Sequence, residues 1–363
     1  MRPCLLIFFF ILFFSLPGVA FNLDSLKYVN AANFLLIGKG FDGTKSQYER
    51  LPASLEGKVR LPVWNLSKNC SGLAVRFRTN SPIIAAKWEV TDDLVMNHFS
   101  PSGIKGLDLY CLKNGKWQFV NSARPEKKVT NAIIIENMIG QEMEYMLYLP
   151  LYDGLVSLEI GIKSNSAIEN PQVNSPRREK PVVFYGTSIT QGGCVSRAGM
   201  AYPNQLSRML NRQTINLGFS GNGQLDFEIA EAMAEIDASC IVIDCLPNVS
   251  VSKMKEKYLH FLEIIRKKKP NVPVLIVENI FFPNMYFDQD IYHLIQEKNR
   301  ALQQIFNQQK KKGDKNVFYL NADKLIGTDN EVTVDGVHLT DLGSYRISQN
   351  FYPLIRKLIK SEK

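Results

Sequence analysis

A serine, a histidine and an aspartate in the C-terminal half of this sequence have the residue types needed for acyl transfer. Ser188 lies in the sequence Gly-Thr-Ser-Ile-Thr, and His338 follows Asp335 in an Asp-x-x-His sequence. A serine hydroxyl becomes an effective nucleophile when a base accepts its proton, and histidine is suited to that role near neutral pH. A neighbouring aspartate holds the imidazole in the required tautomer and stabilises the imidazolium. We therefore expect Ser188, His338 and Asp335 to be catalytic.

Acyl transfer also needs hydrogen-bond donors for the oxyanion of its tetrahedral intermediate. The sequence offers the backbone N–H groups of Ser188 and Gly221 and the side-chain amide of Asn248. A glycine at position 221 would let the backbone approach a substrate closely. We expect these three groups to form the oxyanion hole. No His/Cys cluster has metal-ligand spacing, so we expect neither a metal nor another cofactor.

The elements that must position these residues follow an alternating pattern after Pro181. Apolar, strand-like runs cover residues 182–185, 214–217, 240–246, 274–277 and 317–320, and amphipathic stretches cover residues 202–210, 225–236, 254–269, 291–311 and 341–360. Strand alternating with helix predicts an α/β domain with a parallel sheet over residues 181–363. Ligands of such domains bind at the carboxyl ends of the strands. The candidate residues follow predicted strands, so we expect them to converge at one edge.

The N-terminal half has a different periodicity. Short strand-like runs cover residues 73–79, 83–90, 145–149 and 156–160. Residues 107–112 and 117–120 form a predicted hairpin, since Asn114-Gly115 between them suits a type I′ turn. Many short strands at this spacing predict an all-β sandwich, jelly-roll-like, over residues 21–163. The polar segment 164–180 contains Pro171 and Pro176 and is predicted to be a linker.

Residues 1–20 have the pattern of a secretory signal peptide. Arg2 precedes an apolar run, and small residues end the segment at Ala20. The run is shorter than the ~20 residues of a membrane-spanning helix. We therefore expect a protein exported to the periplasm or the exterior, without a transmembrane anchor.

The overall composition is that of a globular protein. Of 363 residues, 45% are hydrophobic and 21% are charged, which excludes disorder, collagen and coiled coil. The formal net charge is +8, but its visible clusters, residues 266–269 and 310–312, end predicted helices. Cations there interact favourably with the helix dipole, so we expect no nucleic-acid partner.

The remaining cysteines and histidines receive ordinary interpretations. After removal of the signal peptide we expect the cysteines to be buried apolar residues, although a Cys70–Cys111 bridge stays open; they are Cys70, Cys111, Cys194, Cys240 and Cys245. His260 and His293 fall within predicted helices, where a surface or core role is the simpler interpretation. His98 lies in the β-rich half and could reach the active site only if the two halves packed face to face, which we do not expect.

The candidate residues carry a family resemblance. Ser188, Gly221, Asn248 and His338, with Asp335, resemble the four consensus blocks of the SGNH (GDSL-type) hydrolase superfamily, and the resemblance covers residues 181–363. One block departs from the family pattern G-x-N-D, since this chain has Leu-Pro-Asn-Val at residues 246–249. The resemblance implies a flavodoxin-like three-layer α/β hydrolase domain. With the hairpin around residues 106–110, it points to an exported, two-domain bacterial branch with an N-terminal β-sandwich.

Members of that branch are mostly carbohydrate esterases. The resemblance therefore implies an exported serine esterase that removes acetyl groups from a polysaccharide or oligosaccharide through an acyl-enzyme. One alternative is a lipid-directed esterase, similar to a lysophospholipase or a platelet-activating-factor acetylhydrolase, with Phe281 and Phe282 lining an acyl pocket. Another is a carbohydrate-binding protein whose hydrolase half is an inactive scaffold. The α/β-hydrolase sequence G-x-S-x-G and the P-loop are absent, and Gly221-Asn222-Gly223 does not continue into G-x-G-x-x-G.

Overall fold

The computed structural model describes residues 22–323 and 325–360, and the predicted signal peptide lies outside them. The described residues contain two antiparallel sheets in the N-terminal half and one parallel sheet in the C-terminal half. The predicted fold class is thus confirmed. In the part of the chain that the structure describes, no helix is long and apolar enough to cross a membrane.

The described part of the N-terminal half, from residue 22 onward, contains ten strands and two short α-helices. The strands are β1 (Leu26–Asn30), β2 (Leu35–Ile37), β3 (Ala74–Thr79), β4 (Ile84–Val90), β5 (Leu107–Lys113), β6 (Lys116–Ala123), β7 (Val129–Ile135), β8 (Met143–Tyr148), β9 (Leu155–Lys163) and β10 (Ile168–Glu169). The helices are α1 (Leu61–Ser67) and α2 (Pro101–Ile104). One sheet has the order β1-β9-β4-β7, and the other has the order β10-β3-β8-β5-β6, with β2 beside β3.

The two sheets pack face to face, because alternate residues along their strands are apolar. Val75 of β3, Trp88 of β4 and Leu147 of β8 lie in one shared core. The predicted hairpin is β5–β6, and both turn residues, Asn114 (φ 51°) and Gly115 (φ 73°), have the positive φ of a type I′ turn.

The outer face of the second sheet packs against the C-terminal half. Tyr110, Met146 and Tyr148 form an apolar cluster with Val195 and Ala198 of the segment that follows Ser188. The inner strands β3, β8 and β5 of this sheet are therefore buried on both faces, and the two halves of the described chain meet face to face.

The C-terminal half is a three-layer α/β/α fold. Its parallel strands are β11 (Arg177–Gly186), β12 (Arg212–Gly218), β13 (Cys240–Asp244), β14 (Val274–Val277) and β15 (Val317–Leu320). Its helices are α3 (Ser188–Gln191), α4 (Tyr202–Leu210), α5 (Phe227–Glu235), α6 (Val251–Lys268), α7 (Gln289–Lys311) and α8 (Asp341–Lys360). Helices α5, α6 and α7 share a core with one sheet face, and α4 and α8 share a core with the other. The order β12-β11-β13-β14-β15 is that of flavodoxin-like sheets.

The segment predicted as a linker, residues 164–180, is partly ordered in sheets. Ile168 and Glu169 form β10 and pair with β3, and Arg177 begins β11 opposite Arg212. The polar, proline-containing composition of this segment favours a loop. Edge strands nevertheless accept such residues, and pairing with β3 supplies the backbone hydrogen bonds of β10. The N-terminal half also contributes Trp64 of α1 to the core of the α/β layers.

Candidate active site

Ser188 lies at the carboxyl edge of the parallel sheet, two residues after the end of strand β11, which is second in the sheet order. It is the first residue of α3, and the Thr187 hydroxyl caps this helix by accepting a hydrogen bond from the Ile189 N–H (3.2 Å). A Cβ at Gly186 would lie 1.9 Å from Thr190 Oγ1 and 2.6 Å from the Asp244 carbonyl oxygen. Position 186 therefore accepts only glycine. The turn that begins there leads the chain from β11 to Ser188, whose side chain is mostly buried.

His338 and Asp335 lie in the loop that precedes α8. One carboxylate oxygen of Asp335 accepts hydrogen bonds from the backbone N–H groups of Val337 (3.0 Å) and His338 (2.8 Å), which closes a tight local turn. The other oxygen lies 2.7 Å from His338 Nδ1. His338 Nε2 lies 2.9 Å from Ser188 Oγ, across 150 residues of sequence. The structure thus brings the three expected residues into one hydrogen-bonded chain.

The carboxylate of Asp335 is stabilised in its charged form. Partial burial raises its pKa, but hydrogen bonds from the His338 side chain and the two backbone N–H groups outweigh that effect and lower the pKa to about 2. The charged carboxylate favours a proton on His338 Nδ1. His338 Nε2 is then left with a lone pair that faces the Ser188 hydroxyl.

The three oxyanion-hole candidates lie on three loops at the same sheet edge. Ser188 begins a helix, so its N–H has no acceptor within that helix. Gly221 has a φ of +68° and open space where a side chain would lie. Asn248 Oδ1 accepts a long hydrogen bond from Gly223 N–H (3.4 Å), which leaves its Nδ2 available as a donor. The altered third block, residues 246–249, still forms a tight 3₁₀ turn that ends at Asn248.

The N-terminal half contacts the segment that follows α3. The sequence did not reveal this contact. In the Gly-Leu-Asp-Leu-Tyr sequence of residues 106–110, the leucines face the sandwich core, whereas Asp108 and Tyr110 face the C-terminal half. The fully buried Asp108 carboxylate accepts hydrogen bonds from Arg197 Nη1 and Gly199 N–H, both at 2.8 Å. The alternation of apolar and polar residues along β5 shows that Asp108 lies on the face opposite to the leucines. It does not show that Arg197 is the partner of Asp108.

Arg50 supports the loop that carries Gly221. Its guanidinium is buried and donates to the carbonyl oxygens of Asn216 (3.0 Å) and Gly218 (2.8 Å) at the end of β12. It also donates to the carbonyl oxygens of Asn69 and Leu66 within the N-terminal half. Burial lowers the pKa of Arg50 to about 10, so it remains charged at neutral pH. No sequence pattern singles out this residue.

Helix α3 itself is also contacted from the N-terminal half. The hydroxyl of Tyr152 donates to the Ser188 carbonyl oxygen (3.2 Å), and the hydroxyl of Ser71 donates to the Gln191 carbonyl oxygen (2.6 Å). The Gln191 side-chain amide donates to Asn69 Oδ1 at 3.1 Å. Residues of both halves therefore build the surroundings of Ser188.

His98 reaches the site, and our expectation that it would not was wrong. Its ring centroid lies 5.7 Å from that of His338. The segment that precedes His98 is held by the Asp153 carboxylate, which accepts hydrogen bonds from the N–H groups of Asp92 and Leu94. The reason is the face-to-face packing of the two halves, which local sequence patterns do not report. His260 and His293 lie exposed on α6 and α7, which is the surface role of the two ordinary roles that we expected.

The described cysteines are all free, and four of them are buried, which agrees with the prediction for those four; Cys111 is only half-buried. The basic runs also lie where we expected them. Arg266 to Lys268 occupy the last turn of α6, and Lys310 and Lys311 the last turn of α7.

Both halves of the chain match families of known proteins. Residues 179–356 match the GDSL-like lipase/acylhydrolase family, and residues 26–168 match the family described as the N-terminus of SGNH-hydrolase-type esterases. A structure from Bacteroides ovatus, described as a GDSL-like lipase candidate, is 38% identical with a TM-score of 0.88, over 92% of this chain and 98% of that one. The chain belongs to the GDSL-like SGNH hydrolase family.

More distant structures share the fold alone. The salicylyl-acyltransferase of a tetracycline biosynthetic pathway is 15% identical with a TM-score of 0.74, over 90% of this chain and 96% of that one. An acetyl xylan esterase from the rumen bacterium Butyrivibrio proteoclasticus is 15% identical with a TM-score of 0.58, over 93% of this chain and 100% of that one. No curated protein matches the sequence significantly.

Proposed function

We propose that this SGNH hydrolase is an exported serine esterase that removes acetyl groups from a polysaccharide or oligosaccharide. The hydrogen-bonded chain from Ser188 through His338 to Asp335 carries the proposal, because it is the arrangement that activates a serine hydroxyl. The sugar substrate is supported by the signal-like N-terminus and the additional β-sandwich. Carbohydrate esterases also occur among the structures that share its fold.

The mechanism follows from the positions of these groups. Ser188 Oγ attacks the acetyl carbonyl carbon while His338 Nε2 accepts the hydroxyl proton, and Asp335 stabilises the imidazolium. The oxyanion accepts hydrogen bonds from Ser188 N–H, Gly221 N–H and Asn248 Nδ2. Collapse breaks the bond to the sugar oxygen, which takes the proton from His338. Water then attacks the acetyl-enzyme, with His338 again as the base, and releases acetate and free Ser188.

Acetate release from acetylated xylan tests the proposed chemistry. We expect Ser188→Ala to lower the turnover rate by at least about 10³-fold, since single removals in serine-hydrolase triads have effects of this size or larger. Ser157→Ala is the matched control, because Ser157 is an exposed serine on β9 of the sandwich, outside the site. Equal rates for wild type and Ser188→Ala would exclude Ser188 as the nucleophile.

Export has a separate test, since the predicted signal lies outside the described residues. We expect the N-terminus of the mature protein to begin after Ala20 when the full chain is expressed in a bacterium with a secretory pathway. An unprocessed Met1 on protein retained in the cytoplasm would contradict this part of the proposal.

Neither alternative function gains specific support. Phe281 lines a depression of about 540 Å³ with polar neighbours that include Glu278 and Arg300, a lining that does not suit an alkyl chain. Phe282 packs against the core beneath α8. We expect a preference for short-chain over long-chain p-nitrophenyl esters, and the reverse preference would favour a lipid substrate. Labelling of Ser188 by a fluorophosphonate would argue against an inactive scaffold.

A further inference from the structure

Three potential metal ligands meet beside the candidate nucleophile. In the part of the chain that the structure describes, the ligand atoms of His98, Cys194 and His338 all lie within 4.8 Å of one another. His98 comes from the loop between β4 and α2, Cys194 follows α3, and His338 precedes α8. The cluster therefore exists only when the two halves of the chain are packed together.

Both histidines are oriented as metal-binding histidines usually are. His338 Nδ1 lies 2.7 Å from an Asp335 carboxylate oxygen, and His98 Nδ1 lies 2.8 Å from Asn97 Oδ1. Each oxygen acceptor favours a proton on Nδ1 and leaves Nε2 unprotonated. In His338 the Nε2 lone pair faces the Ser188 hydroxyl, which a metal ion would displace. Metal-binding histidines almost always donate their other N–H group to a carboxylate or carbonyl oxygen in this way.

Cys194 is held in place by its backbone. Its φ of +69° lies in the left-handed region, which residues other than glycine adopt infrequently. The side chain is buried among residues of both halves, including Phe99 and Tyr152. Burial raises the pKa of the thiol to about 12, so a metal ion would have to displace its proton.

We propose that His98, Cys194 and His338 form an inhibitory binding site for Zn²⁺, with both Nε2 atoms and the Cys194 sulfur as ligands. Zinc–nitrogen bonds of about 2.0–2.1 Å and zinc–sulfur bonds of about 2.3 Å place tetrahedral ligands roughly 3.3–3.6 Å apart. Since the ligand atoms lie within 4.8 Å of one another, the three side chains need to move together by up to about 1.5 Å. Water occupies the fourth position. The Cys194 S–H bond breaks, its proton passes to solvent, and the thiolate electron pair forms the bond to zinc.

Inhibition rests on the proposed function of His338. The Nε2 lone pair that binds zinc is the one that would accept the Ser188 proton, so a bound ion removes the base from the reaction. The same Asp335 that orients His338 for catalysis orients it for the metal. Zinc and the Ser188 proton would therefore compete for the same nitrogen of His338.

Binding is tested without reference to activity by titrating the full-length mature protein with Co²⁺. We expect one equivalent to produce a thiolate-to-cobalt charge-transfer band, and Zn²⁺ to abolish it by displacement. His98→Gln and Cys194→Ser should each weaken binding by at least about tenfold, because loss of even an outer-shell partner of a metal ligand costs about 10–100-fold. The matched controls are His260→Gln and Cys111→Ser, which change the same residue types outside the cluster. An unchanged charge-transfer band in Cys194→Ser would overturn the site.

Esterase assays provide the second arm. We expect Zn²⁺ to inhibit the wild type reversibly, with recovery on chelation, and His98→Gln and Cys194→Ser to resist inhibition while hydrolysing ester without metal. Cobalt binding in a protein without esterase activity would leave the metal site standing and refute the proposed function. Zinc inhibition of equal strength in both variants and in the wild type would refute the metal site alone.

Discussion

Removal of the Asp108 carboxylate tests how the N-terminal half supports the candidate active site. This fully buried group accepts hydrogen bonds from Arg197 Nη1 (2.8 Å), Gly199 N–H (2.8 Å) and Ser122 Oγ (2.6 Å). Asp108→Ala leaves all three donors without this acceptor. Breaking a buried ion pair costs about 3–5 kcal/mol. We expect about 3 kcal/mol, because the Arg197 side chain is 20% exposed and water partly replaces its partner.

Asp108→Asn separates the charge from the hydrogen bonds. The asparagine oxygen can occupy the position that faces Arg197 and Gly199. Its NH₂ group then faces Ser122, whose hydroxyl can rotate to accept. Every hydrogen bond is kept and only the charge is lost, so we expect a loss of about 1–2 kcal/mol. An equal loss for the alanine and asparagine variants would contradict this account of the carboxylate.

The assay combines urea unfolding of the full chain with the rate of p-nitrophenyl acetate hydrolysis under folding conditions. Ile84→Ala is the matched control, since it removes a fully buried core side chain of the sandwich at a cost of about 2–5 kcal/mol. We expect kcat to fall about 10–100-fold in Asp108→Ala, because small displacements of a catalytic group have such effects. The control should retain the wild-type kcat. A similar fall in Ile84→Ala would show that general destabilisation, not positioning of the Arg197 segment, lowers the rate.

Three further predictions concern the site's surroundings. Asn248→Ala should lower kcat by about 10²–10³ with little change in KM, as loss of one oxyanion donor does; an unchanged kcat in steady-state assays would exclude Asn248 from the oxyanion hole. Arg50→Met leaves four carbonyl oxygens without their donor, and urea unfolding should show a loss of at least about 3 kcal/mol; a loss near zero would refute its positioning role. Burial raises the pKa of Asp244 to about 6. The folded state therefore binds its proton more tightly than the unfolded state. The resulting stability is fully present below pH ~4, and up to about 3 kcal/mol is lost as pH rises through about 6. In unfolding experiments at a series of pH values, Asp244→Asn should reduce the pH dependence of the free energy of unfolding. The same pH dependence in the variant and the wild type would contradict this role of Asp244.

Much of the fold could be predicted because its signals are local. The periodicity of apolar residues gave the five parallel strands and the five long helices nearly at their observed bounds. Asn114-Gly115 predicted the turn of the β5–β6 hairpin for the same reason, since two adjacent residues determine its backbone conformation. Composition favours a loop for residues 164–180, but it does not report the presence of a neighbouring strand such as β3, with which Ile168 and Glu169 pair.

Part of the candidate site could also be predicted from the sequence. Residue types and motif spacing identified Ser188, Asp335 and His338, and the turn that joins Asp335 to His338 spans only four residues, so its hydrogen bonds are local. The approach of Ser188 to His338 follows from the topology of a parallel sheet, whose carboxyl strand ends share one edge. These features were accessible before any coordinates, because each depends on short segments or on a known rule of chain topology.

Only the tertiary structure decided what the N-terminal half does for that site. Asp108, Arg50 and His98 are separated from their partners by about 90 to 240 residues. Their roles depend on the relative placement of two separately patterned halves. Sequence periodicity shows which face of a strand is apolar, but it does not show which surface covers that face. The sequence therefore determined the chemistry available to this SGNH hydrolase, while the packing of one half against the other determined which residues surround it.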